Sequence, residues 1–147
     1  EGYRERMEEV LSSLDESARS KVIDVHISLG SQLEDSGLVD YARSHFASAR
    51  HFGGGAELDF KMALTVPVVY GGVEHLEESR RELQDNIESL LNSSITLPSL
   101  SQLSYPGTFY VVYQGYDDSD VMRGIREAYH KSVKGIDRTP EAFVAGG

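Results

Sequence analysis

The chain has 147 residues, a length that suits one compact domain or one section of a longer helical solenoid. Its formal net charge of −10 argues against a cationic groove for nucleic-acid phosphates and against binding to an anionic membrane surface. It has no cysteine, which excludes disulfides and thiolate chemistry and leaves the redox compartment open.

No apolar run approaches the ~20 residues that a membrane-spanning helix needs, and no signal or transit peptide is visible. The chain begins at Glu1 and ends on the small residues Val144–Gly147, so we expect a fragment or a processed chain. A soluble intracellular setting, in the cytoplasm or inside an organelle, is the expected localisation.

The first predicted element is a helix from Glu1 to Glu16, within an N-terminal segment of residues 1–19. Apolar residues recur at helical spacing along it, with charged residues on the other side. The members of this apolar stripe are Tyr3, Met7, Val10, Leu11 and Leu14. We interpret residues 1–19 as a capping helix or an irregular repeat.

Residues 20–55 predict two short helices joined by a turn. The first helix is Ser20–Glu34, and Gly37 makes the turn. The second helix is Leu38–Phe52, and the three glycines that follow it end the helix. Two helices cross closely only where a small residue faces a large one, and Gly30 and Ala42 are the expected points of close approach. The residues expected to fill the interface are Leu29, Leu33, Phe46 and Ala49.

This spacing of small and large residues resembles a tetratricopeptide repeat, and the simpler alternative is any helical hairpin with a glycine in its turn. A single repeat cannot bury its own faces, so it needs neighbours. In such repeats the first helix lines a concave face. The resemblance therefore implies a candidate protein-binding surface, here called the first-helix surface, formed by Asp24, Ile27, Ser31, Glu34 and Asp35. A basic or neutral peptide would suit it, or Tyr70 or the loop 93–107 could fill it.

Residues 56–135 predict a less regular helical extension. A helix begins near Ala56 and ends before Pro67, after which Val66–Tyr70 favours extended structure. The clearest helix is Val73–Asn92, whose apolar stripe is expected to be buried. That stripe consists of Leu76, Leu83, Ile87, Leu90 and Leu91.

The remaining segments of the extension are less regular. Ser93–Gly107 is an apolar loop that we expect to pack against the fold. The β propensity of Phe109–Tyr116 favours a strand, but its short length allows a helix as well. Val121–Lys134 predicts a further helix, and residues 136–147 form a tail. A mainly α fold with at most one or two short strands follows.

Two blocks of this extension carry a further pattern: the first is FKMALTVPVVY with the helix after it, and the second is TFYVVYQGYDD. Together they resemble the region that joins the repeats to the catalytic half in SPINDLY-type O-linked N-acetylglucosamine transferases. The matching residues are Lys61, Ala63, Leu64, Pro67, Tyr70, Arg80 and Arg81 in the first block, and Phe109, Tyr110, Tyr113, Gly115 and Asp118 in the second. The resemblance implies helical structure at Phe109–Tyr116, which we adopt over the strand.

The chain departs from this family in two places. Thr108 stands where the family usually has Asn. More importantly, the sequence stops before the positions of the family's sugar-nucleotide-binding domains. No catalytic or nucleotide-binding residue of the family can therefore be carried over to this chain.

No constellation of residues predicts a catalytic, cofactor or metal site. Gly53–Gly55 lacks the preceding strand and the following Lys or Ser/Thr of a phosphate loop. His45 and His51 are six residues apart, which is not the one-turn spacing of a helical metal pair. His26 falls at a core-facing position, so we expect it to be structural.

The sequence therefore predicts a mainly α protein of tetratricopeptide-like hairpins, without cofactor or metal. One expected function is a non-catalytic protein-binding or assembly module, a subunit or scaffold of a larger complex. The alternative is the substrate-presenting part of an O-GlcNAc-type glycosyltransferase whose catalytic domain is not in this chain. We favour the first, with proteins rather than nucleic acids or membranes as partners.

Overall fold

The computed structural model describes residues 12–97, 111 and 113–133, together with residues 6, 9 and 10. In chain order its helices are α1 (Glu16–Asp35), α2 (Val39–His51), α3 (Glu57–Leu64), α4 (Val73–Asn92) and α5 (Ser119–Ser132). Within the described ranges the only β pairing is an isolated parallel bridge between Leu97 and Val133. The mainly α fold is confirmed, whereas the tetratricopeptide character of the first hairpin stays a prediction.

The helix boundary near the N-terminus differs from the prediction. The structure breaks the helix at Leu14 and Asp15, and α1 begins at Glu16 rather than at Ser20. Asp15 has an extended backbone and its side chain accepts a hydrogen bond of 2.7 Å from the Ala18 N–H. Aspartate is among the preferred N-cap residues because it satisfies such an unpaired donor. Of the predicted N-terminal stripe, Tyr3, Met7 and Leu11 lie outside the described residues.

The turn between α1 and α2 is built by Gly37. This glycine has φ of 76°, a left-handed conformation that residues with a side chain rarely adopt. Its N–H donates to the Glu34 carbonyl at 2.9 Å, and the Leu38 N–H donates to the Leu33 carbonyl at 2.8 Å. This pair of bonds is the Schellman arrangement that ends a helix on glycine. The predicted position of the turn is confirmed.

The α1–α2 hairpin packs closely where the small residue Gly30 of α1 faces the large residue Phe46 of α2. Gly30 lies against the ring of Phe46, and a Cβ added at Gly30 would be 2.5 Å from Phe46 Cε1. Ala42, Phe46 and Ala49 are fully buried. Leu29 is 41% exposed, so its predicted role as interface filling is wrong. Helix α1 turns that position outward while Leu33 packs against the hairpin core.

The buried apolar residues form two clusters that meet at α3. The hairpin cluster consists of Ala42, Phe46, Ala49 and Leu58. The larger cluster consists of Phe60, Leu64, Val66, Leu83, Ile87, Leu90, Leu97, Val111, Val121, Ile125, Ala128 and Val133. Helix α3 contributes Leu58 to the first and Phe60 and Leu64 to the second, so this short helix connects the hairpin to α4 and α5.

The extension follows the predicted order of elements. Helix α3 ends at Leu64, and Thr65 is extended, as expected ahead of Pro67. Helix α4 has the predicted bounds. Val111, Tyr113 and Gln114 have 3₁₀ conformation and Gly115 and Tyr116 form a bend, so none of the described residues of Phe109–Tyr116 lies in a strand.

The predicted loop and tail are described only in part. Of the loop 93–107, residues 93–97 are described, and there Ile95 and Leu97 pack against the larger cluster. Helix α5 begins at Ser119, two residues before its predicted start. The tail 136–147 lies outside the described residues.

Candidate functional site

A groove runs between α2 and α4 and consists of two adjoining cavities, here called the α2–α4 groove. The larger has a volume of about 590 Å³ and the smaller about 210 Å³. Helix α2 lines the groove with residues spaced three or four apart, which share one helical face: Asp40, Arg43, Ser44 and Ala47. Helix α4 does the same with His75, Ser79, Glu82, Asn86 and Ser89.

An ion pair crosses the groove where its two cavities adjoin. Arg43 Nη1 lies 2.6 Å from Glu82 Oε1, and both residues line both cavities. Arg43 Nη2 also donates to the Thr65 carbonyl at 2.8 Å. Its Nε is buried and has no hydrogen-bond acceptor among the described residues. Arg43 therefore holds α2, α4 and the end of α3 together and keeps one unused donor.

Part of the lining of the smaller cavity is formed by exposed apolar side chains from two segments far apart in sequence, beside polar residues such as Arg43 and Glu82. Leu38 and Tyr41, at the start of α2, are 48% and 67% exposed. Val69, in the segment after α3, is 80% exposed and lines the same cavity. Here these three residues are called the apolar patch. Clustered apolar side chains at the surface commonly mark a site of interaction with another molecule.

The larger cavity also has apolar residues in its lining, and these form the wall of the groove rather than its edge. Ala47 of α2, Met62 and Ala63 of α3, and Leu90 of α4 line it together with Ile95. The polar residues Asp40, Asp59 and Asn86 share the same lining. The groove thus combines apolar walls with separated polar groups, a composition typical of binding sites.

The residues of the predicted first-helix surface do not lie together in one open face. Asp24 and Asp35 are exposed, whereas Ile27 packs against the hairpin cluster. Ser31 and Glu34 contact α3 and the residue that follows it. Lys61 Nζ donates to Ser31 Oγ at 2.9 Å and lies 3.6 Å from Glu34 Oε2.

The contacts of Glu34 continue to the residue after α3. The Thr65 hydroxyl lies 2.7 Å from Glu34 Oε1. The side chains of Lys61 and Glu34 are each 15% exposed, so this polar cluster is mostly buried. The C-terminal end of α3 therefore covers part of the surface that the sequence predicted for a partner.

A second polar network joins the segment after α3, α4 and the start of α5. Arg80 donates to Gln114 Oε1 at 2.7 Å and to Asp118 Oδ1 at 2.6 Å. Gln114 in turn donates to the Tyr70 hydroxyl at 2.6 Å. Burial is the main cause that raises the pKa of Tyr70, against the smaller opposing effects of Gln114 and Arg80. This phenol therefore stays protonated at neutral pH.

Three of the residues that carry the glycosyltransferase resemblance meet in this network: Tyr70, Arg80 and Asp118. They come from both matching blocks, which are far apart in the sequence. The side chains of Arg80 and Asp118 are only 11% and 8% exposed, and the guanidinium also lies 4.5 Å above the ring of Tyr116. Because its polar groups bind one another, the network is suited to positioning segments rather than to reacting with a substrate.

Two histidines face each other across the α1–α2 hairpin. His26 Nδ1 and His45 Nδ1 are 2.9 Å apart, and the His26 ring stacks on Phe52 with 5.5 Å between the ring centroids. Burial, and to a smaller extent the charge of His45, lowers the pKa of His26. No group of three or more His, Cys, Asp or Glu within the described ranges is arranged to hold a metal ion. The pair is part of the helix interface, as predicted for His26.

The residues of the apolar patch and Arg43 were not identified from the sequence. A signal existed for Tyr41, because it lies on α2 about 100° around the helix from the buried stripe of Ala42, Phe46 and Ala49, where polar residues are usual. Leu38 and Val69 carried no such signal. Whether Leu38 and Val69 lie at the same cavity depends on how α2 packs beside the segment after α3.

Comparison with models of protein families, with curated proteins and with solved structures finds no match to this chain. No helix in the described part is both long and apolar enough to cross a membrane. The fold and the site together define a mainly α protein with a surface groove between two helices. Its likeness to tetratricopeptide repeats and to O-GlcNAc transferases stays a prediction from its residues.

Proposed function

We propose that this chain is a non-catalytic protein-binding module, a subunit or scaffold of a larger complex, and that its partner docks in the α2–α4 groove. The observation that carries the proposal is the apolar patch around the smaller cavity. Leu38 and Tyr41 come from one segment and Val69 from another, yet all three line one concave site with 48%, 67% and 80% of each residue exposed.

The energetics of the groove support a protein partner. Full burial of a Leu- or Val-sized side chain is worth about 1.5–3 kcal/mol, and Tyr is one of the residues that dominate protein interfaces. The Arg43–Glu82 ion pair and the Arg43 bond to the Thr65 carbonyl hold the two walls in place. A pre-organised groove lowers the entropy cost of binding.

The proposal moves the expected binding site from the first-helix surface to the groove. Ser31 and Glu34 of that surface are engaged by Lys61 and Thr65, so a partner would have to displace internal contacts to reach them. The side chains of the apolar patch are open to a partner without such displacement.

The test compares two matched double variants in affinity purification from the source cell. Leu38→Ser/Val69→Ser removes apolar surface at the groove, and Val25→Ser/Leu29→Ser removes one Val and one Leu from exposed positions on α1. We expect at least one co-purified protein to be lost with the groove variant and kept with the α1 variant. Binding of that protein, once purified, should weaken about tenfold or more on the groove substitution.

Thermal unfolding of both variants first establishes that each is folded. The proposal is overturned if both variants retain the same co-purified proteins as the parent chain. It is also overturned if both lose the same proteins, because the loss would then not depend on the groove.

A second function is favoured by the meeting of Tyr70, Arg80 and Asp118 in one network. We infer as the alternative that the chain is the substrate-presenting part of an O-GlcNAc-type glycosyltransferase. The test is the open reading frame downstream of Gly147. A catalytic half that follows and transfers N-acetylglucosamine to a protein substrate would support this function, and a stop codon near Gly147 would exclude it.

A further inference from the structure

The outer edge of the α2–α4 groove on α4 is acidic. Successive residues of an α-helix are about 100° apart, so Glu74, Glu78 and Asp85 lie next to Glu82 on the solvent side of the residues that line the groove. All four are exposed. Arg81 lies about 100° around the helix from Glu82, about 20° beyond Glu74, so one cation borders the far side of these carboxylates. We call Glu74, Glu78 and Asp85 the acidic rim, because Glu82 is already paired with Arg43.

The other wall of the groove adds negative charge. Asp40 lines both cavities, and within the described part of the chain its carboxylate has no hydrogen bond or ion pair with another residue. The cation nearest to the groove is already engaged, because Arg43 binds Glu82 at 2.6 Å. Asp59 is likewise engaged by Arg50 at 3.2 Å. The charge left for a partner is therefore negative.

We propose that the α2–α4 groove binds a positively charged amphipathic segment of its protein partner. Apolar side chains of that segment would contact the apolar patch and the groove walls, and its Lys or Arg side chains would lie along the acidic rim. This inference rests on the proposed function and names the chemistry of its partner.

The charge of the chain also selects among possible occupants. A second copy would bring another net charge of −10 to an acidic rim, and like charges repel at this range. An acidic segment of another protein would meet the same repulsion. A basic segment gains attraction at the rim and loses none of the apolar contact.

The test uses two labelled model peptides. The first is an 18-residue peptide of Leu and Lys with helical periodicity, and the second has Glu at every Lys position. Fluorescence anisotropy with the full chain should show binding of the Lys peptide, weaker at high salt because ions screen exposed charges, and no binding of the Glu peptide.

Matched charge reversals separate binding at the rim from general attraction to an acidic protein. Glu78→Lys/Asp85→Lys reverses two rim charges, and Glu77→Lys/Glu88→Lys reverses two exposed charges elsewhere on the same helix. Both double variants change the net charge of the chain by the same amount. We expect the rim variant to bind the Lys peptide about tenfold more weakly and the off-groove variant to change affinity less than about twofold.

Equal weakening by the two double variants would overturn the inference, because it would show only the effect of net charge. Binding of the Glu peptide at least as tight as that of the Lys peptide would overturn it as well. Neither result would contradict the proposed function. That proposal fails by a different observation, when the Leu38→Ser/Val69→Ser chain keeps every co-purified protein. The two failures are therefore distinguishable.

Discussion

At the scale of single residues, Gly30 sets how closely α1 and α2 can approach. The space where its side chain would begin is filled by the ring of Phe46, with Cε1 and Cδ1 at 2.5 and 2.7 Å from an added Cβ. Phe46 is fully buried, so its ring cannot move aside freely. Gly30 is thus required by a packing contact rather than by a backbone conformation.

Gly30→Ala should destabilise the protein. Forcing a methyl group against a buried ring costs about 1–3 kcal/mol, and with atoms as close as those of Phe46 we expect a cost above the roughly 1 kcal/mol that Ala gains over Gly in a helix. Urea unfolding followed by circular dichroism measures the change. Ser20→Ala, at an exposed position on the same helix, should not lower stability.

A second substitution tests whether contact with the Phe46 ring causes the loss of stability in the Gly30→Ala chain. In the Gly30→Ala background, Phe46→Leu removes the ring and should cost less than the same change in the parent chain. Equal costs in the two backgrounds would show that Gly30 and Phe46 are not coupled.

His26 makes the stability of the hairpin depend on pH. Burial lowers the pKa of His26 below its ordinary value of 6.5, so the folded chain holds this residue neutral where the unfolded chain protonates it. The contribution of neutral His26 to the unfolding free energy is fully present above pH 6.5. It is lost as the pH falls from 6.5 through the pKa of His26 in the folded chain, because the unfolded state then binds more protons.

His26→Gln should therefore flatten the decrease in unfolding free energy below pH 6.5, since Gln keeps a hydrogen-bonding group opposite His45 but does not titrate. Urea unfolding across pH 5 to 8 measures the unfolding free energy of the variant and of the parent chain. Ser20→Ala, which changes no titratable group on the same helix, should leave the pH dependence unchanged. Identical curves for the His26 variant and the parent chain would contradict the assignment.

At the scale of elements, the helix ends follow local signals. Asp15 caps the start of α1, and Gly37 and Gly53 end α1 and α2 in left-handed conformations with φ of 76° and 103°. Gly54 completes the second of these ends with a hydrogen bond of 2.9 Å to the Ala49 carbonyl. These signals involve neighbours in the chain, so most boundaries can be predicted from sequence. The start of α1 was missed because the Asp15 cap was not recognised.

The element α4 carries two adjacent arginines with different surroundings. Arg80 is buried against Asp118, Gln114 and Tyr116, whereas Arg81 is exposed. Removing one partner of a buried ion pair leaves the other charge without compensation in a poorly solvated place. The two positions therefore serve as each other's control.

Arg80→Ala should lower the unfolding free energy by about 3 kcal/mol or more, because Asp118 stays buried without its cation. Arg81→Ala should change it by less than about 0.5 kcal/mol, as is usual for exposed positions. Chemical denaturation of the two variants in parallel measures both values. A similar small change for both would mean that the Arg80 network does not hold α4 and α5 together.

At the scale of the whole molecule, α3 and the residue after it connect the hairpin to the rest of the fold. Leu58 completes the hairpin cluster, and Phe60 and Leu64 belong to the larger cluster. Thr65 adds polar links, since its hydroxyl meets Glu34 of α1 and its carbonyl accepts from Arg43 of α2. The neighbour that the sequence required for a single hairpin is therefore supplied within the chain.

The α2–α4 groove is likewise a property of the whole molecule. Helices α2 and α4 are bridged by Arg43 and Glu82 and leave an open volume of about 590 Å³ between them. Residues of α3 form part of the wall, and Val69 of the following segment reaches the smaller cavity. No single element contains this site.

The amino-acid sequence alone determined the helical class, the order of the elements, the Gly37 turn and the buried stripes of α2 and α4. These depend on spacing within a helix and on caps, which are local interactions. Only the tertiary structure decided that Leu29 is exposed, that Ser31 and Glu34 bind the end of α3, and that Leu38, Tyr41 and Val69 line one cavity. Such contacts join residues distant in sequence, and helical periodicity does not specify which faces of two helices meet.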